Sequence, residues 1–367
     1  MTKKPINIFF IVEKVGPYHN SRFNELSKNK EFQINVIEVN PNSKTYLWND
    51  EKNNNYPIYK IKKDNNKNIN YASLSKQLNQ YLFSNKPEII FITGWYKKLY
   101  HYIFFKSFLR KIPLILISDS RIKDHKRKFH KELIKKLLIR GISAALVAGT
   151  ESKDYLVKLK FEKKNIFMPC NVIDNNFFSS SNPKINLKTK KYFLCIARFV
   201  KKKNHIKLLE GFENYKKSKG KFDLIIIGDG PEKESIQDFI STSNFSSSIF
   251  VESWKQINEL PSYYKNSKAF ILASYSDQWG LVVNEALASG VPCIVSKNCG
   301  CYVDLIENAN TGWGFDSNNK MELSNLLHKV ESLNNEDLKI IKDNIKKKIS
   351  KYDLKTFSNA VENSIFR

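Results

Sequence analysis

The feature that most limits how this chain can fold is a pattern stated twice. Short runs rich in β-branched and aromatic residues alternate with stretches of helical spacing. The first series reads "INIFFIV", "FQINVIEV", "EIIFIT", "PLILIS" and "AALVAG"; the second reads "YFLCIAR", "FDLIIIG", "SIFVES", "AFILAS" and "PCIVS". A strand, a helix and a further strand make a βαβ unit, so each series predicts a doubly wound parallel sheet. With 367 residues the chain is too long for one hydrophobic core, and two α/β domains of similar size follow. The expected division is 1–182, a linker at 183–190 in the polar "NPKINLKTKK", 191–350, and a terminal helix in 351–367 packing back towards the first domain. Ligands of such sheets bind beyond the carboxyl ends of the strands, which places the expected site in the cleft between domains.

Other classes are excluded more simply. The longest apolar runs, such as "FDLIIIG", are far too short to span a bilayer. The opening "MTKKPINIFFIVEK" has a basic start and a brief apolar run, but Glu13 and Lys14 interrupt it without a small-residue cleavage site, so it reads as a first strand. The Asn-rich "DEKNNNYPIYKIKKDNNKNIN" reads as an exposed loop with an embedded short strand. Five cysteines without two C-x-x-C pairs favour neither a disulfide framework nor a zinc site, and a reducing cytoplasm is the expected location. The "CGC" at Cys299 to Cys301 reads as a loop with buried thiols.

The net charge of +25 is concentrated in one half: residues 1–190 carry 36 Lys and Arg against 15 Asp and Glu, residues 191–367 carry 25 against 21. Such asymmetry points to an anionic partner, whether nucleic acid, membrane surface or substrate, although heavy Lys and Asn usage contributes to it. Within that half, Ser120 to Gly141 sets Phe129, Leu133, Leu137 and Leu138 at helical spacing among basic residues. A helix of this kind either lies on an anionic membrane or packs on a core with a solvated basic face.

Three stretches of the second half carry chemistry. Arg198 ends "FLCIAR" and Lys203 follows five residues later, a pairing suited to a departing diphosphate but also explained by a solvated basic loop. "IIIGDGPEKESI" places a Gly-Asp-Gly-Pro turn between strand and helix, where Pro231 opening the helix explains it as well as phosphate binding does. In "ASYSDQWGLVVNEALASGVP" a helix is expected from about Gly280 or Leu281, its free amides from Gly280 to Val282 facing a ligand oxygen. Asp277 reaches that ligand from the loop and Glu285 from about a turn inside the helix. Carboxylates beside phosphate repel it unless each accepts hydroxyl hydrogen bonds, so the implied ligand is a sugar nucleotide. Taken singly, either acid is also explained as a dipole partner or a solvated side chain.

Together, "ARFVKKKNHIKLLEGF", "LIIIGDGPEKESI", "YYKNSKAFILASYSDQWGLVVNEALASGVPCIVS" and "GCYVDLIENANTGWGF" resemble the nucleotide-sugar half of family 4 glycosyltransferases, retaining enzymes of GT-B fold. The likeness covers nearly all of residues 191–330; in the first half it is looser, through "VGPYHNSRFNEL", Gly94 and Trp95, and "NVIDNNFF". It implies that Arg198 and Lys203 bind the donor diphosphate, that Glu285 holds the ribose hydroxyls, and that Asp277 bonds the transferred sugar. It further implies that the amides of Gly280, Leu281 and Val282 contact sugar or phosphate, that Trp254 and Lys255 lie by the nucleobase, and that Gly16 meets the donor phosphate. Asp277 stands where the commoner pattern has Glu, and "ILISDSR" lacks the His often found after the fourth strand of the first domain, leaving Asp119 as the nearest polar group. Asp119 and His19 are the acceptor-side candidates.

The expected reaction is a front-face hexosyl transfer from a UDP- or GDP-linked sugar to a glycan or lipid-linked acceptor of cell-surface polysaccharide. The resemblance implies no metal and no other cofactor, and a cytoplasmic protein able to sit at the inner membrane face. A sugar-nucleotide epimerase of the same fold is the alternative enzyme. A basic nucleic-acid-binding protein explains the charge alone, and no nucleic-acid-binding module is recognisable.

Overall fold

The computed structural model describes residues 4–41, 48, 53–62, 71–95, 98–125, 127–180, 189, 191–307 and 310–366. The first domain holds β1 (Ile6–Val12), α1 (Pro17–Leu26), β2 (Phe32–Glu38), β3 (Ile58–Lys60), α2 (Tyr71–Tyr81), β4 (Ile89–Ile92), α3 (Lys98–Leu109), β5 (Leu114–Ser118), α4 (Phe129–Leu138), β6 (Ala144–Val147), α5 (Thr150–Lys158), β7 (Ile166–Phe167) and α6 (Asn175–Ser180). The second holds β8 (Tyr192–Ile196), α7 (His205–Lys217), β9 (Asp223–Ile227), α8 (Lys233–Thr242), β10 (Ile249–Glu252), α9 (Leu260–Lys265), β11 (Ala269–Leu272), α10 (Leu281–Ala288), β12 (Cys293–Ser296), β13 (Gly312–Phe315), α11 (Lys320–Glu331), α12 (Asn335–Ile349) and α13 (Leu354–Ile365).

Both sheets are parallel throughout, in the orders β3-β2-β1-β4-β5-β6-β7 and β10-β9-β8-β11-β12-β13. A parallel strand is covered on both faces and so needs a continuous apolar run, which is what "IFFIV" and "AFIL" supply. Phe10 shows the packing that results: its ring lies 4.7 Å from Phe23 and 4.4 Å from Phe91. Its truncation to Ala would cost about 3–5 kcal/mol. Strand order reverses between β1 and β4 in one sheet and between β8 and β11 in the other. Those are the switch points where ligands of such sheets sit.

The Asn-rich stretch does contain a short strand, β3, while much of the rest of it lies outside the described residues. The edge strands β7 and β13 are not among the runs read from the sequence. One has two residues and the other, "GWGF", is half glycine, too little side chain to signal a strand. The expected linker at 183–190 lies outside the described residues apart from Thr189. At the far end α13 rests on α1 and β6 of the first domain, with Phe366 6.2 Å from Phe32 and Arg22 over the Phe357 ring. One apolar cluster therefore runs from the first domain into the second. Cys293, Cys299 and Cys301 lie inside it as free, buried thiols.

Candidate functional site

Arg198 stands just beyond the carboxyl end of β8, half-buried, and a tight turn at Lys201–Lys203 follows. Asn204, in the left-handed region at φ 59°, ends that turn and donates from Nδ2 to the carbonyls of Ala273 (3.1 Å) and Ser317 (2.9 Å). The basic turn is thereby clamped to the end of β11. Lys203 Nζ forms an ion pair with Asp277 Oδ2, and both side chains are largely buried. Two groups that the sequence assigned to different parts of one ligand are thus in contact. The Gly-Asp-Gly-Pro turn braces the same loop from behind: Phe199 N–H donates to Asp229 O (2.8 Å) and Glu232 N–H to Phe199 O (2.9 Å). Pro231 does not open the following helix as expected, because α8 begins two residues later at Lys233, after the turn has closed on Phe199.

Helix α10 starts where the sequence places it. Gly280 caps it at φ 104°, a conformation that costs little only for glycine, and a Cβ there would stand 2.9 Å from Leu272 Cδ2. The same hypothetical Cβ would lie 3.8 Å from Asp277 Oδ2, so the acid sits beside the helix mouth. Leu281 and Val282 open the first turn, where neither N–H has an intrahelical acceptor. Trp279 folds inward and donates from Nε1 to Asn284 Oδ1 at 2.8 Å.

Glu285 differs from expectation. It is fully buried: Oε1 accepts a hydrogen bond from Tyr18 at 2.6 Å and Oε2 one from Tyr264 at 2.8 Å. Burial pushes its carboxyl up to about 7, against the opposing effect of the two tyrosine hydroxyls. Tyr18 belongs to the first domain, so this bond crosses the cleft.

The first domain supplies the facing wall. Gly16 follows β1 and donates its N–H to His19 Nδ1 at 3.5 Å. Burial, with Arg22 nearby, holds His19 down at about 3, so the ring is neutral. Asp119 follows β5 and accepts from Gln278 Nε2 of the second domain at 3.5 Å. Burial lifts Asp119 to about 6, and the charges of Asp124 and Asp277 add to it. Beyond β10, Trp254 lies 4.8 Å from Trp48 of the first domain, and its indole N–H finds no partner among the described residues. Lys255 Nζ sits 3.6 Å from Glu252 and over the Tyr263 ring.

Residues 178–348 match the family of glycosyl transferases group 1. The alpha-monoglucosyldiacylglycerol synthase of Acholeplasma laidlawii is 26% identical over 185 residues, 48% of this chain and 46% of that enzyme, so the chain spans about half its length. An uncharacterized glycosyltransferase of Haemophilus influenzae is 25% identical over 298 residues, 80% of this chain and 79% of that one. In overall structure the chain is similar to Anabaena HepE in complex with UDP and glucose, at TM-score 0.75 and 14% identity over 97% of this chain and 98% of that one. The fold is GT-B.

Within this GT-B frame the sequence reading missed Tyr18, Tyr264, Gln278 and Asn204. Asn204 had a local signal, an Asn directly before a helical run. Nothing local pairs Tyr18 with a carboxylate 267 positions away.

The outer face of the first domain decides a further question. No residue of α4 is buried; Phe129 is 84% exposed, and Leu133, Ile134 and Leu137 are exposed with it. Of the four apolar residues read from the sequence, Leu138 alone packs against the core, and Phe129, Leu133 and Leu137 are exposed. Helix α3, which packs Ile103 and Phe104 into the same apolar layer that receives Leu138, exposes Phe105, Phe108 and Leu109. Lys128, Lys131 and Lys136 in and beside α4, and Arg110 and Lys111 directly after α3, are exposed as well. Among the described residues no helix is long and apolar enough to cross a membrane.

Proposed function

We propose that the protein is a retaining, metal-independent glycosyltransferase that moves a hexose from a UDP- or GDP-sugar to a hydroxyl of a glycan or lipid-linked acceptor in cell-surface polysaccharide or lipopolysaccharide synthesis. One convergence carries this reading: Arg198, the Lys203–Asp277 pair and the Gly280 mouth of α10 meet at the switch point of the domain that matches the family. In this reading Arg198 and Lys203 hold the diphosphate and balance its growing charge as the bond from sugar C1 to phosphate oxygen breaks. Asp277 takes sugar hydroxyls, the amides of Gly280, Leu281 and Val282 meet sugar or phosphate, and Gly16 meets the phosphate from the other domain. Glu285 takes the ribose, and Trp254 and Lys255 flank the base. The acceptor oxygen bonds to C1 on the face the diphosphate leaves, and its proton passes to a donor phosphate oxygen. Asp119 and His19 line the acceptor side, His19 as a neutral ring. UDP is the first donor to try, since the Anabaena neighbour is in complex with UDP and glucose.

Calorimetry against UDP-, GDP- and ADP-sugars tests the donor, and the anomeric configuration of the product tests retention. Arg198→Ala is expected to lower turnover about 100-fold, the scale of losing one transition-state donor, while EDTA leaves the rate unchanged. Failure of every nucleotide sugar to bind, or release of a free epimerised sugar without acceptor, overturns the reading.

The apolar and basic face of α3 and α4 supports an acceptor that resides at an anionic membrane, to which the protein docks peripherally on the cytoplasmic side. Vesicle sedimentation tests this. Binding to anionic lipid that weakens with salt is expected; no binding at either salt level sinks it.

A further inference from the structure

A ribose offers hydroxyl donors, and a carboxylate that holds it must present a reachable acceptor position to them. In this structure Glu285 is wholly buried and each oxygen already accepts a phenol, Oε2 that of Tyr264 and Oε1 that of Tyr18. Of these two phenols only one can leave. Tyr264 is wholly buried, its ring 5.5 Å from Phe270 of its own domain and 6.1 Å from Phe178 of α6. Tyr18 is half-buried, belongs to the opposite domain, and stands in the first turn of α1, two residues after Gly16.

We propose that Tyr18 is a built-in stand-in for a donor ribose hydroxyl: its phenol occupies Glu285 Oε1 across the cleft, and the donor binds by displacing it. The proposal rests on the reading of Glu285 as the ribose acceptor and goes beyond it by assigning the residue that guards it. The arrangement has a physical reason. A carboxylate buried without partners is costly, so the phenol satisfies Oε1 when no sugar nucleotide does. Because Tyr18 and Gly16 share one short stretch, diphosphate reaching Gly16 and ribose reaching Glu285 would act on the same piece of chain. Tyr18 is therefore a positioning residue that couples the spacing of the domains to the filling of the donor site.

The test is calorimetric binding of UDP and GDP, and of their 2′,3′-dideoxy forms, to the parent and to Tyr18→Phe. The measurements belong at about pH 8.5, well above the ordinary range of a carboxyl and above the value of Glu285, so that it is ionised in both proteins. Phenylalanine keeps the ring that packs edge-on at 5.8 Å from Trp48 and removes only the hydroxyl. The variant should bind the ribonucleotide about 2- to 10-fold more tightly, one hydrogen bond's worth, and the dideoxy form no more tightly than the parent does. A ribonucleotide gain of zero, or an equal gain for the dideoxy form, overturns the proposal while leaving Glu285 as the ribose acceptor. Equal affinity of Tyr18→Phe for the ribo and dideoxy forms overturns the Glu285 assignment, and the proposal with it.

Discussion

At the scale of single residues the site is a set of charges placed where water is scarce, and their protonation decides what they hold. Glu285 is the clearest case. Burial raises it from the ordinary carboxyl range to about 7, so below that pH it is a neutral acid that accepts hydroxyl hydrogen bonds poorly, and above it an anion that accepts them well. Nucleotide affinity should therefore rise as pH passes upward through about 7, and Glu285→Gln should flatten that rise. A calorimetric series over pH checks this; a parent profile as flat as that of the Gln variant would contradict it. The sequence suggested Glu285 as a ligand-facing acid and gave no sign that it is buried. The phenols that cover it, Tyr18 and Tyr264, are 267 and 21 positions away, beyond the reach of a local pattern. Lys203 and Asp277 teach the same lesson, since each was visible alone and their pairing was not.

At the scale of elements the reading fared according to how much of the signal is local. Strands buried on both faces are written as continuous apolar runs, and so β1, β5, β8 and β11 could be read directly. The α10 mouth was legible because a glycine before an apolar helical run has a backbone reason to be there. Gly280→Ala tests that reason: it forces a side chain into φ 104° and against Leu272, and should cost about 1–2 kcal/mol in urea unfolding. An unchanged midpoint would show that the mouth tolerates another backbone path. Helix α4 was ambiguous from periodicity, because an apolar stripe looks the same whether it faces a core or a bilayer. Only its neighbours decide, and they leave Phe129, Leu133 and Leu137 uncovered. Replacing Phe129 and Leu137 together by Ser should cut binding to anionic vesicles at least ~10-fold, the scale of losing two interfacial apolar side chains at roughly 1.5 kcal/mol each, while leaving the fold intact. Sedimentation alongside circular dichroism separates the two effects.

At the scale of the whole molecule the question is what sets the two domains against each other. Asp304, in a π-helical turn of the second domain, accepts from the Thr150 backbone N–H at 2.8 Å and from Thr150 Oγ1 at 2.6 Å, and so caps α5 of the first domain in place of a local residue. Gly149 makes this approach possible: its backbone is extended, but a Cβ there would meet Asp304 Oδ2 at 2.3 Å and Trp279 at 2.4 Å. Arg121, also buried, joins the contact from the loop after β5 by donating to Asn298 O at 2.9 Å while paired with Asp124 and Glu151. A helix cap supplied by another domain ties local stability to domain position, since separating the domains exposes the cap's loss at once. Asp304→Ala should therefore remove about 1–2 kcal/mol of stability and also loosen the contact between domains. In hydrogen exchange the first turn of α5 should lose protection while the strands of both sheets keep theirs. If protection fell evenly across both sheets, Asp304 would be supporting the fold of its own domain; if it fell nowhere, Arg121 and the shared apolar cluster would suffice to hold the domains together.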